Sequence, residues 1–172
     1  MKSIKLLGVV FFTALTSITA SAQSSKTVVE NAIASKDHTT LVAAVKAASL
    51  VETLSGKGPF TVFAPTNAAF AKLPKGTVDS LLKPENKATL QAVLTYHVVA
   101  GNLDSKAVVA AIKAGKGSAT LTTVQGGKLV GSLDGKNVIL TDEKGNKSTI
   151  TAVDIKSSNG VIHVIDSVLL PK

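Results

Sequence analysis

An α+β domain follows from three features of the sequence. Apolar residues recur at three- and four-residue spacing through the first half. In the second half they alternate with polar ones between glycine-bearing turns, and Gly115-Lys116-Gly117 marks the change of period. Helices first and hairpins later exclude an alternating α/β order. The expected architecture is two β-sheets, as a sandwich or open barrel, with N-terminal and mid-chain helices beside them.

The helical half is read in chain order. Val28, Val29, Ala32 and Ile33 share one face between Lys26 and Ser35. A second stripe, Leu41, Ala44, Val45 and Ala48, follows Asp37, which is expected as its N-cap. Ser55-Gly56-Lys57-Gly58-Pro59 breaks the pattern. Phe60 to Ala64 then reads as a short strand closed by Pro65, and Asn67 as the cap of a short helix through Phe70 and Leu73. Gly76-Thr77 opens another helix. Pro84 suits the first turn of a longer one with the stripe Leu90, Val93, Leu94, His97. A last helix spans Asp104 to Lys113.

Five strands are expected after the break: 119–124, 129–133, 137–141, 148–155 and 161–168. Gln125-Gly126-Gly127, Asp134-Gly135 and Glu143-Lys144-Gly145-Asn146 supply the turns between them. On the last strand Val161, His163 and Ile165 are assigned to one face, and Ile162, Val164 and Asp166 to the other.

The start of the chain carries a different signal. Two lysines precede an apolar run from Leu6 to Leu15, and Ala20-Ser21-Ala22 supplies a small-residue cleavage pattern. Residues 1–22 are therefore expected to be a signal peptide cut before Gln23. The remainder, 23–172, is expected to be a single domain with its core over about residues 26–171. The apolar run is shorter than the roughly 20 residues a bilayer span needs, so no transmembrane anchor is expected. Export to the periplasm or the extracellular space follows.

Composition removes several chemistries. There is no cysteine, so thiol nucleophiles, disulfides and thiolate metal sites are excluded. The formal net charge is +8, and every basic residue is lysine. These lysines are dispersed, and four aromatics lie beyond the leader (Phe60, Phe63, Phe70, Tyr96), so a nucleic-acid surface is not expected. His38, His97 and His163 do not pair at a ligand spacing, so no metal site or cofactor is assigned. Gly131-Ser132 lacks the second glycine of a nucleophile elbow, and no glycine loop cradles phosphate. No catalytic residue is assigned, and the chain is read as a non-enzyme.

Three segments carry a resemblance: Gly58-Pro59-Phe60-Thr61-Val62-Phe63-Ala64-Pro65-Thr66-Asn67-Ala68-Ala69-Phe70, then Leu94-Thr95-Tyr96-His97-Val98-Val99, then Asn159 to Pro171 with His163 and Asp166. In this order the sequence resembles the fasciclin domain, a module of secreted and cell-surface proteins. The resemblance implies a wedge of two sheets flanked by helices. It implies a mainly structural role for Phe60, Phe63, Pro65, Thr66, Asn67, Phe70, Gly160, His163 and Asp166. It also implies two binding features, Tyr96-His97 with its aliphatic neighbours and Asp154-Ile155. For each, packing of the fold stands as the alternative to partner contact.

The expected function is cell adhesion or interaction with a cell-surface or extracellular-matrix macromolecule, either a protein or an acidic polysaccharide. The alternative is a carrier of an apolar small molecule, carotenoid- or lipid-like, in the same fold.

Overall fold

The computed structural model describes residues 25–172, so the expected leader and its cut before Gln23 lie outside the described residues. The helices are α1 (Val28–Ala34), α2 (Thr39–Ala47), α3 (Val51–Ser55), α4 (Asn67–Ala71), α5 (Thr77–Leu81), α6 (Lys87–Tyr96) and α7 (Ser105–Ala114). The strands are β1 (Phe60–Pro65), β2 (Val98–Ala100), β3 (Ser118–Thr122), β4 (Lys128–Asp134), β5 (Asn137–Thr141), β6 (Lys147–Ser157) and β7 (Gly160–Ile165).

Helix starts follow from side-chain oxygens that satisfy the first free N–H groups. Thr27 and Glu30 form a reciprocal capping box on α1. Contrary to the expectation from spacing, Asp37 does not cap α2. Residues Lys36–His38 form a 3-10 turn capped by Ser35, and α2 begins at Thr39. Its first turn is satisfied from a distance, because the Asn67 side-chain oxygen accepts the Thr40 N–H at 3.0 Å. Asn67 is thus not the cap of α4 either. Thr66 holds that position and accepts the Ala69 N–H at 3.2 Å. The Pro84 turn is a separate 3-10 segment, Pro84–Asn86, leading into α6.

The strands run in the order β2-β1-β7-β6-β5-β4-β3. The expected antiparallel pairing holds except at the centre, where β1 and β7 are parallel from Phe60↔Gly160 to Pro65↔Ile165. No hairpin joins these two strands, so turn chemistry does not set their direction. The two halves of the wedge share β6, which pairs with β5 through Thr149 and with β7 from Ile150 onward. A bridge between Val99 and Thr123 draws the far edges together. Strand β2 was not anticipated, since three residues cannot show an alternation. Strand β7 stops at Ile165, three residues short of the expected end. There the Asp166 N–H still donates to the Thr149 carbonyl at 3.1 Å, but the Asp166 carboxylate takes the place of a main-chain oxygen in accepting the Thr149 N–H at 2.9 Å.

Two clusters form the core. One packs α1, α2, α3, α4 and α6 against Ala64, Val98 and Ile162; the other gathers Phe63, Tyr96, Val99, Ile165 and α7 residues inside the β3–β6 half. Neighbours on β1 and on β2 (Phe63 and Ala64, Val98 and Val99) therefore face opposite clusters. Strands covered on both faces read as continuous apolar runs, which is why Val161 to Ile165 shows no polar face.

Candidate binding surface

The two pairs singled out in the sequence have opposite surroundings. Tyr96 closes α6 with none of its surface exposed, and His97 beside it is 2% exposed. The Tyr96 hydroxyl donates to the Lys128 carbonyl at 2.7 Å and accepts the Glu143 N–H at 3.1 Å. It thereby ties the helix to β4 and to the β5–β6 turn. Burial raises its pKa above the usual phenol value. Tyr96→Phe removes two hydrogen bonds, each worth about 0.5–1.5 kcal/mol, so a loss of about 1–3 kcal/mol in urea denaturation is expected.

The His97 ring is held from both sides. Its Nδ1–H donates to the Val93 carbonyl at 2.8 Å, and Nε2 accepts the Leu169 N–H at 3.0 Å. That pattern requires the neutral ring, and burial pushes its pKa down to about 4. His97 thus fastens the C-terminal segment to α6.

Asp154-Ile155 lies on β6 where that strand slips against β7, with register shifts between Ile150 and Ala152 and between Ala152 and Ile155. Asp154 adopts a left-handed conformation (φ 59) at this bulge. Its carboxylate accepts both the Ser105 N–H, at 2.7 Å, and the Ser105 hydroxyl, anchoring the bulge to the start of α7. Burial opposes its ionisation, but the Ser105 bonds and the nearby His163 and Lys156 outweigh it and hold the carboxyl below its ordinary range. The Asp154 N–H points to His163 Nδ1 at 3.4 Å, while His163 Nε2–H donates to the Leu103 carbonyl at 2.7 Å. Phe63 stacks on the His163 ring at 5.7 Å. The bulge leaves Val153 47% and Ile155 38% exposed, and Thr151, Ala152 and Lys156 are exposed beside them.

The remaining marked residues hold the strands in place. Pro65 and Phe70 are buried and Phe60 is half-buried. Asp166 accepts from Thr149, Ser148 and Ser167 and lies 3.6 Å from the Lys72 ammonium. A Cβ on Gly160 would stand 2.0 Å from the Phe60 carbonyl oxygen.

Three organising residues were not singled out. Asn159 accepts the Val28 N–H at 2.9 Å and donates to the Leu54 and Gly56 carbonyls at 2.8 and 3.0 Å. Ser105 is the anchor of Asp154. Asp142, in the β5–β6 turn, accepts the Lys144 and Asn146 N–H groups at 2.9 and 2.8 Å and also the Leu170 N–H at 2.9 Å. Asn159-Gly160 carried a turn signal, but partners more than 100 positions away leave no trace in local spacing. Among the described residues, no group of three or more His, Asp or Glu side chains is placed to hold a metal ion, and no helix is long and apolar enough to cross a membrane.

A helix-flanked β-wedge of this topology, with these corner residues, is a fasciclin fold. The chain belongs to the fasciclin-domain family, whose Fasciclin domain model matches residues 36–171. Protein sll1483 of Synechocystis sp. is 50% identical over 156 residues, covering 88% of this chain and 77% of that protein. Cell surface glycolipoprotein MPB83 of Mycobacterium bovis is 38% identical over 125 residues, covering 72% of this chain and 48% of that protein. The FAS1 domain pair of the insect cell adhesion molecule Fasciclin I shares the fold, with a TM-score of 0.76 at 19% identity; it covers 86% of this chain and 51% of that one.

Proposed function

We propose that this protein is an exported module that works by binding a cell-surface or extracellular macromolecule, not by catalysis, and that residues 151–156 of β6 form its contact surface. The observation that carries the reading is the anchored bulge. Asp154 is tied down to Ser105, and the same turn of backbone holds Val153 and Ile155 out in solvent. A rigid, exposed pair of branched apolar side chains loses little conformational entropy on contact. Tyr96 and His97 are enclosed, so on this reading they position strands and do not touch a partner. Membership of a family whose relatives include a cell surface glycolipoprotein supports the surface setting. The signal-like residues 1–22 supply the export step, with the mature N-terminus at Gln23.

The apolar cavity beneath α1, α2 and α3, where the carrier alternative would place a ligand, has a volume of about 40 Å³. Drug-sized ligands occupy pockets of roughly 300–1,000 Å³, so a long polyene would have to force the helices apart. Binding at the surface is the reading we retain.

The test uses the mature protein against cell-envelope fractions of its own source. Val153→Ser combined with Ile155→Ser should weaken retention at least fivefold while leaving the urea midpoint within error. Tyr96→Phe should show the reverse, lower stability with unchanged retention. Equal retention by the Val153/Ile155 variant and the parent protein would rule out this surface.

A further inference from the structure

A cleft of about 880 Å³, lined mostly by polar residues and glycines, opens at one end of the β2-β1-β7-β6 half of the sheet. Four pieces of chain wall it: Thr27 before α1, Ser55 to Pro59 from the last residue of α3 up to β1, Asn102 and Asp104 after β2, and Lys156 to Val161 around the β6–β7 turn. It adjoins the contact surface proposed above, which ends at Lys156, but neither Val153 nor Ile155 lines it.

Its floor is braced. Asn159 joins α1, the end of α3 and Gly56 through the bonds described above, and its own carbonyl accepts the Phe60 N–H at 3.0 Å. The Gly101 N–H donates to the Pro59 carbonyl at 3.0 Å, and the Ser158 N–H to the Lys26 carbonyl at 2.8 Å. Side chains are kept off the floor where the chain crosses itself. A Cβ on Gly58 would stand 2.0 Å from the Asn159 carbonyl oxygen, just as one on Gly160 would meet Phe60.

The walls offer groups the fold does not use. The Lys57 ammonium, the Asn102 amide and the Ser55 and Ser158 hydroxyls have no side-chain hydrogen bond or ion pair among the described residues. Lys156 adds a second positive charge, partly engaged by the field of Asp154. Asp104 adds one carboxylate, of which one oxygen accepts the Ala107 N–H at 2.8 Å. Two ammonium groups, an amide, hydroxyls and one carboxylate suit a ligand with many hydroxyl groups and widely spaced negative charges. A compact polyanion would be repelled by Asp104 and finds no arginine fork here. The exposed ring of Pro59 gives the apolar face of a sugar a surface to lie on.

We infer that this cleft binds an acidic polysaccharide, taking a short stretch of uronate-bearing chain, with Lys57 and Lys156 at its carboxylates and Asn102, Asp104 and Ser158 at its hydroxyls. The inference takes from the proposed function only its extracellular setting.

The experiment titrates an alginate hexasaccharide into the mature protein and follows binding by calorimetry and by amide chemical shifts. The expected result is saturable binding with shifts centred on residues 55–59, 102–104 and 156–161. Lys57→Ala with Asn102→Ala should weaken it at least tenfold, Lys113→Ala at the opposite end of α7 from Asp104 less than twofold, and maltohexaose should bind at least tenfold more weakly. The substituted side chains are exposed, and an unchanged melting temperature checks that the fold is kept. No saturable binding, equal weakening by Lys113→Ala, or displacement by inorganic phosphate at equal anion concentration would overturn the inference. Envelope retention that falls with the Val153/Ile155 variant but not with the cleft variant, together with no alginate binding, would remove the cleft and leave the surface reading standing.

Discussion

Acidification from pH 7.5 to 4.5 is expected to remove about 2–3 kcal/mol of folding stability through His97 alone. The folded ring must stay neutral because Nδ1–H donates to Val93 while Nε2 accepts from Leu169. Its pKa falls from 6.5 to about 4, driven by burial; the Val93 carbonyl and the Asp142 carboxylate pull the other way without winning. Between those two values the unfolded chain binds a proton that the folded chain refuses, so stability rises with pH across that window and is flat above it. Each unit of separation is worth about 1.4 kcal/mol. His38, whose pKa is also lowered chiefly by burial, adds to the effect in the same direction. Asp154 and Asp166 have pKa values below 3.8, so their stabilisation is lost mainly under pH 4, outside the comparison. Urea midpoints at the two pH values provide the check, and His97→Gln should flatten the difference. Identical midpoints for the parent protein would show that His97 is not the buried neutral latch described.

Gly160→Ala is expected to cost 3 kcal/mol or more, whereas Gly131→Ala should change stability by less than about 1 kcal/mol. Both glycines lie in strands, and both changes add one methyl group. At Gly160 the new carbon would fall 2.0 Å from the Phe60 carbonyl oxygen and 2.9 Å from its carbon, both main-chain atoms in the central parallel pair. Relief requires β1 and β7 to part, which strips ladder hydrogen bonds and loosens both core clusters. At Gly131 the nearest atom is Ile112 Cδ1 at 3.6 Å, an ordinary contact that adds packing. Thermal or urea unfolding of the two variants side by side decides the matter. Similar losses from both would mean that the close crossing of β1 and β7 is not what holds the wedge together.

Much of the local order was legible along the chain because its causes are local. The α2 and α6 stripes, the helix over Asp104 to Lys113, the Gly115-Lys116-Gly117 break and the three hairpin turns all lie within windows where period and turn chemistry operate. At the start of α2 a distant residue replaced a nearby one. Asp37 is a good cap by composition, yet the Thr40 N–H goes to Asn67, so the helix starts later than its own sequence suggests. The candidate site divided in the same way. Asp154-Ile155 was visible as a pair, but its exposure depends on Ser105 holding the carboxylate and on a register slip against β7. Neither is encoded within reach of residue 154.

From the residues alone came the class of the domain, its helices-then-hairpins order and the want of thiol or arginine chemistry. These depend on composition and on periods of two and 3.6, which a single strand of text displays. Folding in three dimensions settled the parallel union of first and last strands, the burial of Tyr96 and His97, and the display of Val153 and Ile155. Those outcomes are set by contacts between segments far apart in sequence, where side-chain volume and unsatisfied main-chain groups select one arrangement and local preference has no say.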